Sequence, residues 1–250
     1  MRYSVLTYIF GGYEQVHEIV ERDQDADYIL VTDNPHLHSD TWRIVYDPMP
    51  DMTAMEKCYE VRYHPFRYAK TELCVRLDSS IEIRKPLRPF IDKMQEGWYD
   101  RCLMVHPAHR TMQEEYDAWV AQGRYSTEYA DYDIAAMQRL GYDMTYMGLF
   151  QACFEVVRNN DINNEINRQT LQLLYDYAPD SIINRIDQTW LSLVINRYFA
   201  DRLKVLPVPE TVVGSEYMTW YWHNSNKRKR LRVPIPPMMF NRPCETWLPK

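Results

Sequence analysis

Three short apolar runs, each stopped by a polar or turn-forming residue, constrain this chain most. Residues 3–10 are apolar and β-rich until Gly11-Gly12 breaks them. Asp27-Tyr28-Ile29-Leu30-Val31 runs into Thr32-Asp33-Asn34-Pro35, and Leu73-Cys74-Val75-Arg76-Leu77 ends on Asp78. Each reads as a strand bounded by a turn. Trp42-Arg43-Ile44-Val45-Tyr46, closed by Asp47-Pro48, is a further strand. Between them, residues 14–22 suit a short helix, and 53–70 carry helical spacing interrupted by Pro65. Strands alternating with helices predict an α/β fold with a largely parallel sheet. Such sheets bind ligands beyond the carboxyl ends of their strands. Thr7, Tyr8, Thr32, Asp33 and Asp78 all fall at those ends, so their polar groups are expected to converge.

The second half continues the pattern. Leu103-Met104-Val105-His106 and Phe150 to Arg158 read as strands. Residues 111–122, 127–140 and 162–177 read as helices, the first opening near Thr111 with acidic residues in its early turns and the last ending before Pro179. A helix over 187–199 would take Asp187 as its N-cap. The last fifty residues are rich in proline and are expected to wrap the core as an extended tail. Residues 1–210 thus form one domain and 211–250 a basic, proline-rich tail on it, with no internal repeat.

Composition excludes several classes. Only 7 glycines occur, and neither GxGxxG nor GxxxxGK[ST] is present, so glycine-rich phosphate loops are out. A net charge of −6 offers no global attraction to nucleic acid or anionic membrane. No apolar run is as long as a membrane span, and the N-terminal run is too short for a signal peptide, which favours a cytoplasmic protein. The 5 cysteines are scattered without a CxxC and suit core positions in a reducing compartment. Abundant aromatics, 20 Tyr and 7 Trp, serve a core but can also stack on sugars and bases.

The segment Val75-Arg76-Leu77-Asp78-Ser79-Ser80-Ile81-Glu82-Ile83 carries the strongest chemical signal. A buried strand ending on a carboxylate needs a cation or a hydrogen-bonding ligand there, unless Asp78 only caps a turn. With Tyr8-Ile9-Phe10-Gly11-Gly12-Tyr13, the 27–34 run and Arg62-Tyr63-His64-Pro65, this segment resembles the opening of a glycosyltransferase family. That family was first described as a domain of unknown function and was later grouped with plant mucilage and pollen proteins and bacterial polysaccharide enzymes. The likeness continues, in order, through His106-Pro107 with Arg110 and Glu114, Gly148-Leu149-Phe150 leading to Arg158, and Asp187-Gln188.

The resemblance implies a single GT-A-type, Rossmann-like nucleotide-sugar domain with a mixed, mostly parallel sheet, covering roughly residues 5–207. It implies donor contacts from Thr7, Tyr8, Asp33, Arg62, Asp78 and Ser80. Sugar-nucleotide transferases carry Asp-x-Asp at this strand end, and here Ser80 replaces the second carboxylate. A manganese or magnesium ion would therefore rest on Asp78, Ser80 and His223, the last from Trp220-Tyr221-Trp222-His223. A serine hydroxyl is a poor metal ligand, and His223 suits a hydrogen-bonded aromatic cluster equally well. Asp187 and Gln188 match an Asp-Gln pair that lies beside the anomeric carbon in related retaining enzymes. In an inverting enzyme Asp187 would be the general base, and as a simple N-cap it would be neither.

His106 and His109 suggest a metal pair, but Pro107 breaks any shared helix face and no matching ligands follow. His106 and Arg110 are instead assigned to the acceptor or diphosphate. His36 and His38 lie in a turn and read as solvated. The run Lys227-Arg228-Lys229-Arg230-Leu231-Arg232 is either a solvated surface or a cover for the leaving diphosphate, with Lys227 foremost. The expected activity is transfer of a sugar from a nucleoside diphosphate, UDP by analogy, to a hydroxyl acceptor. The alternatives are a sugar-nucleotide or carbohydrate-binding protein without catalysis, and a phage-type transferase acting on a hydroxymethylated DNA base.

Overall fold

The computed structural model describes residues 1–106, 108–177, 186–223, 225, 227–228 and 237–249. The first half runs β1 (Tyr3–Ile9), β2 (Ala26–Thr32), β3 (Arg43–Tyr46), α1 (Ala54–Tyr63), β4 (Leu73–Leu77), β5 (Ile81–Ile83) and α2 (Arg88–Glu96). It is followed by β6 (Arg101–Val105), α3 (Met112–Ala121), α4 (Thr127–Arg139), β7 (Phe150–Arg158) and α5 (Asp161–Asp176). α6 (Asp187–Val194), β8 (Val205–Val208) and β9 (Met218–Trp220) come next.

Seven strands form one mixed sheet in the order β3-β2-β1-β4-β7-β6-β8. All neighbours pair in parallel except β7, which runs antiparallel to β4 and β6. The central strands are buried on both faces, and their largely apolar sequences suit this, with Arg76 on β4 and Glu155 on β7 as buried exceptions. Val5 and Val75 point into one core with Phe90 and Ile91 of α2. Leu6, Ile29 and Cys74 point the other way, towards Val61 of α1. On that second side, Tyr59 and Tyr63 of α1, Ile166 of α5 and Trp190 of α6 share a further core. No helix among the described residues is long and apolar enough to cross a membrane.

Three expectations need correction. Residues 14–22 form no helix, because tertiary partners already hold their polar groups. Ile19 N–H donates to Thr41 Oγ1 (3.0 Å), Val20 N–H donates to Ile83 O (2.9 Å), and Trp42 Nε1 donates to His17 O (2.9 Å). A short helix so served gains little by closing its own turns. The helix opening at Asp187 takes Ile186 as its N-cap position, with no side-chain cap bond, and passes into a π turn over Ile195–Phe199. The proline-rich end is not merely a wrap. β8 extends the main sheet and β9 pairs with β5. Pro207 is tolerated because β8 is an edge strand. Residues beyond 210 share the first core, where Trp247 meets the Phe90 ring edge-on at 5.5 Å. Pro179 and residues 229–232 of the basic run lie outside the described residues.

Candidate functional site

β2 and β3 lie on one side of β1 and β4 on the other, so the chain's direction across the sheet reverses between β1 and β4. The last paired residues there are Leu6 and Arg76. Beyond them Thr7 Oγ1 donates to Leu77 O (3.1 Å), bridging the strands as they part. A cavity of about 1080 Å³ opens at this edge, the place where parallel sheets bind ligands. Its wall includes Arg62, Asp78, His106, Asp187, Gln188 and His223.

Arg62 organises the near wall. α1 is fixed at its start by a capping box, in which Thr53 receives Glu56 N–H while the Glu56 carboxylate receives Thr53 N–H. Its last turn then holds Arg62 over the strand ends. The guanidinium donates through Nε to Tyr8 Oη (2.8 Å), through Nη1 to Asp187 Oδ2 (2.6 Å) and through Nη2 to Asp78 Oδ1. Tyr63 Oη adds a bond to Asp187 Oδ2 (3.1 Å). Burial works to lower the Arg62 pKa, but Asp187, Tyr8 and Asp78 hold it well above the ordinary arginine value. Burial lifts the Tyr8 phenol, which therefore stays protonated. Asp187 is thus no cap; its carboxylate is pinned to two residues at the end of α1.

Behind this wall lies a closed ion cluster. Glu155 on β7 pairs with Arg76 on β4 and with Arg101 on β6, whose Nε lies 2.6 Å from Glu155 Oε2. All three are buried. Burial would raise the Glu155 pKa, yet Arg101 and Arg76 hold it below the ordinary glutamate value. Arg76 also donates to the carbonyl of Arg62, joining the two clusters. Together they hold three guanidinium groups and three carboxylates.

A second polar group forms another part of the wall. His106 follows β6, His109 lies in the next loop, and Glu115 is in the first turns of α3. Their nearest ligand atoms all lie within 4.8 Å of one another, so this group could hold a metal ion. The His106 and His109 rings stack at 4.9 Å. His109 Nδ1 pairs with Glu115 Oε2, and Gln188 Nε2 donates to Glu115 Oε1 (2.7 Å). Burial works against Glu115 ionising, but the hydrogen bond from His109 and the charge of His106 hold its pKa below the ordinary value. A carboxylate that could complete a ligand set does therefore follow the histidine pair. The carboxylate on α3 looks like a residue complementing a helix dipole until the loop folds back.

The other expected residues are placed as follows. Asp33 accepts Lys57 Nζ (2.8 Å) and Gly11 N–H (3.0 Å), and does not line the cavity. Ser80 is fully buried behind the wall, its carbonyl taking Tyr221 N–H (2.9 Å). His223 lines the cavity but pairs with Glu14 Oε2 (2.8 Å) and packs on Tyr13. β5–β9 pairing carries it there. The set Asp78, Ser80 and His223 does not suit a hard cation: Asp78 already holds a guanidinium, Ser80 is behind the wall, and His223 holds Glu14. Arg110 is exposed and does not line the cavity. Lys227 is also exposed and absent from the lining; its carbonyl accepts Trp222 N–H (2.9 Å). Residues not anticipated include Arg124, whose guanidinium lies 4.1 Å over the Trp119 ring, and the half-exposed ring of Trp222.

No known family model matches this sequence, and no curated protein shows significant similarity to it.

Proposed function

We propose that this chain is a glycosyltransferase on a GT-A-type domain, moving a sugar from a nucleoside diphosphate, with UDP as carrier, to a hydroxyl acceptor. One observation carries it: Asp78 and Asp187, far apart in sequence, meet on Arg62 beside a wide cavity at the point where the sheet reverses. The ordered resemblance from Tyr8 to Asp187-Gln188 supports the same reading, as does a mixed, mostly parallel sheet. Asp78 receives the nucleotide sugar's hydroxyls. Asp187, held rigid by Arg62 and Tyr63, faces the anomeric centre or takes the acceptor proton. Arg62 pairs with both carboxylates and fixes their places, and Arg124 offers positive charge to the departing diphosphate. Trp222 and Tyr13, about half exposed on the cavity wall (50% and 57%), offer flat faces to a sugar ring.

The test is calorimetric binding of UDP and UDP-sugars, followed by release of UDP with and without glycan acceptors. Binding with turnover supports transfer, and binding without turnover supports a sugar-nucleotide-binding protein. If no nucleotide or nucleotide sugar binds, the proposal fails.

A further inference from the structure

We propose that His106, His109 and Glu115 form a site for a divalent transition metal ion of the zinc class, with coordination positions open to the cavity. His106 Nε2 stands 3.6 Å from Glu115 Oε2. That is too long for a hydrogen bond and close to the edge of a tetrahedron whose ligands lie about 2.0–2.2 Å from its centre. Two imidazoles and one carboxylate suit a borderline cation, whereas magnesium and calcium favour all-oxygen shells. Three protein ligands leave a fourth position for water or substrate.

The surroundings support a cation independently. Among the described residues lining the cavity, four carboxylates (Asp78, Glu115, Asp187 and Glu210) face two guanidinium groups (Arg62 and Arg124). Glu115 is almost wholly buried, and its contact with His109 Nδ1 through Oε2 is one that a shared metal ion would replace. Its orientation is set from outside the ligand set, by Gln188 and by a hydrogen bond from Trp119. A second capping box, Thr111 with Glu114, fixes the start of α3 and hence the place of Glu115 relative to the loop.

One local bond gives the site a signature. His109 N–H donates to His106 Nδ1 (2.9 Å), which puts the proton of the neutral ring on Nε2. Ligation through Nε2 moves that proton to Nδ1 and breaks this single backbone bond, a small cost beside three metal–ligand bonds. Metal loading therefore reverses the His106 tautomer.

The experiment uses the chelator-treated full chain without nucleotide, so sugar transfer can fail without touching this result. Cobalt(II) is titrated while its visible bands are followed, then displaced by zinc, and nitrogen-15 spectra of the histidines are recorded. One equivalent should bind, and His106 should carry its proton on Nδ1 in the zinc form. His109→Ala and Glu115→Gln should weaken binding about 100-fold or more, and Gln188→Ala about 10-fold, the scale for outer-shell partners. Melting curves identify any variant that does not fold, and Gln188→Ala then serves alone. Asp78→Asn should leave the stoichiometry unchanged. Absence of stoichiometric binding, or binding lost in Asp78→Asn but kept in His109→Ala, overturns the proposal.

Discussion

Two ion clusters lie back to back in this protein, and they differ in balance and access. The inner one, Arg76–Glu155–Arg101, holds two cations on one carboxylate and is sealed from solvent. The outer one, Arg62–Asp78–Asp187, holds one cation between two carboxylates and borders the cavity. Each alone carries a charge surplus, and the surpluses are opposite. The inner cluster thus offsets the negative charge that the cavity wall displays, so two carboxylates can stay side by side on one guanidinium. A buried charge without its partner is costly, whereas a partly exposed one can exchange its partner for a ligand. The inner cluster is therefore assigned to holding the sheet, and the outer one is the cluster the proposed transfer would use.

The largest effect should come from breaking the inner cluster. Glu155→Gln leaves Arg76 and Arg101 without their shared counter-charge, and stability should fall by about 3–5 kcal/mol, the scale for stripping one partner from a buried pair. Urea unfolding of the variant against the parent measures it. A loss below about 1 kcal/mol would mean that the interior tolerates two unpaired guanidinium groups and that the division of labour is wrong.

Next in size is Asp187→Asn, which strikes the outer cluster. Asp187 makes no cap bond, so the helix start does not depend on it, and Asn still accepts from Arg62 and Tyr63. Melting should shift by only a few degrees, while sugar-nucleotide turnover drops about 10²-fold or more, as for a lost acid–base group. Turnover within a few-fold of the parent would reduce Asp187 to a positioning partner of Arg62.

Acid should test the inner cluster directly. The folded pKa of Glu155 lies below the ordinary value, so its contribution is fully present above about pH 4.3 and is lost as pH falls through the folded value. Glu115 adds a contribution of the same sign. The parent's melting temperature should decline below about pH 4.3, and the decline should be shallower in Glu155→Gln. An unchanged acid slope in that variant would place the acid sensitivity elsewhere.

The sequence exposed the outer cluster more readily than the inner one. Asp78 ends an apolar run and Asp187 opens a helix, so local pattern alone marks both. Arg62 stands out in the sequence only through the resemblance, because nothing local distinguishes a helix-end arginine from a solvated one. Arg76, Glu155 and Arg101 sit inside strands, and their pairing depends on the Arg76–Glu155 register of an antiparallel pair that strand patterns do not reveal. The His106–His109 pair was visible, but its third partner was not. Glu115 joins it only because the loop before α3 turns back. Residues 14–22 misled for the opposite reason: their polar groups are satisfied by Thr41, Ile83 and Trp42, which no helical spacing can anticipate.

The smallest effect should come from Arg110→Ala. Its position beside His106 suggests a diphosphate contact, and the resemblance points the same way. In the fold its side chain is exposed and off the cavity wall. What the site needs at this position is the backbone: the Arg110 carbonyl accepts N–H groups from Gly148 (3.0 Å) and Leu149 (3.3 Å), and its own N–H donates to Glu114 Oε2 (2.5 Å). Alanine preserves all three, since none involves the guanidinium. Surface substitutions of this kind usually change stability by less than about 0.5 kcal/mol. Cobalt affinity and sugar-nucleotide turnover should both stay within about twofold of the parent. A tenfold loss of turnover with unchanged cobalt binding would show the guanidinium swinging into the cavity when substrate is bound, and would add a cation to a wall where, among the described residues, Arg62 and Arg124 are the guanidinium groups.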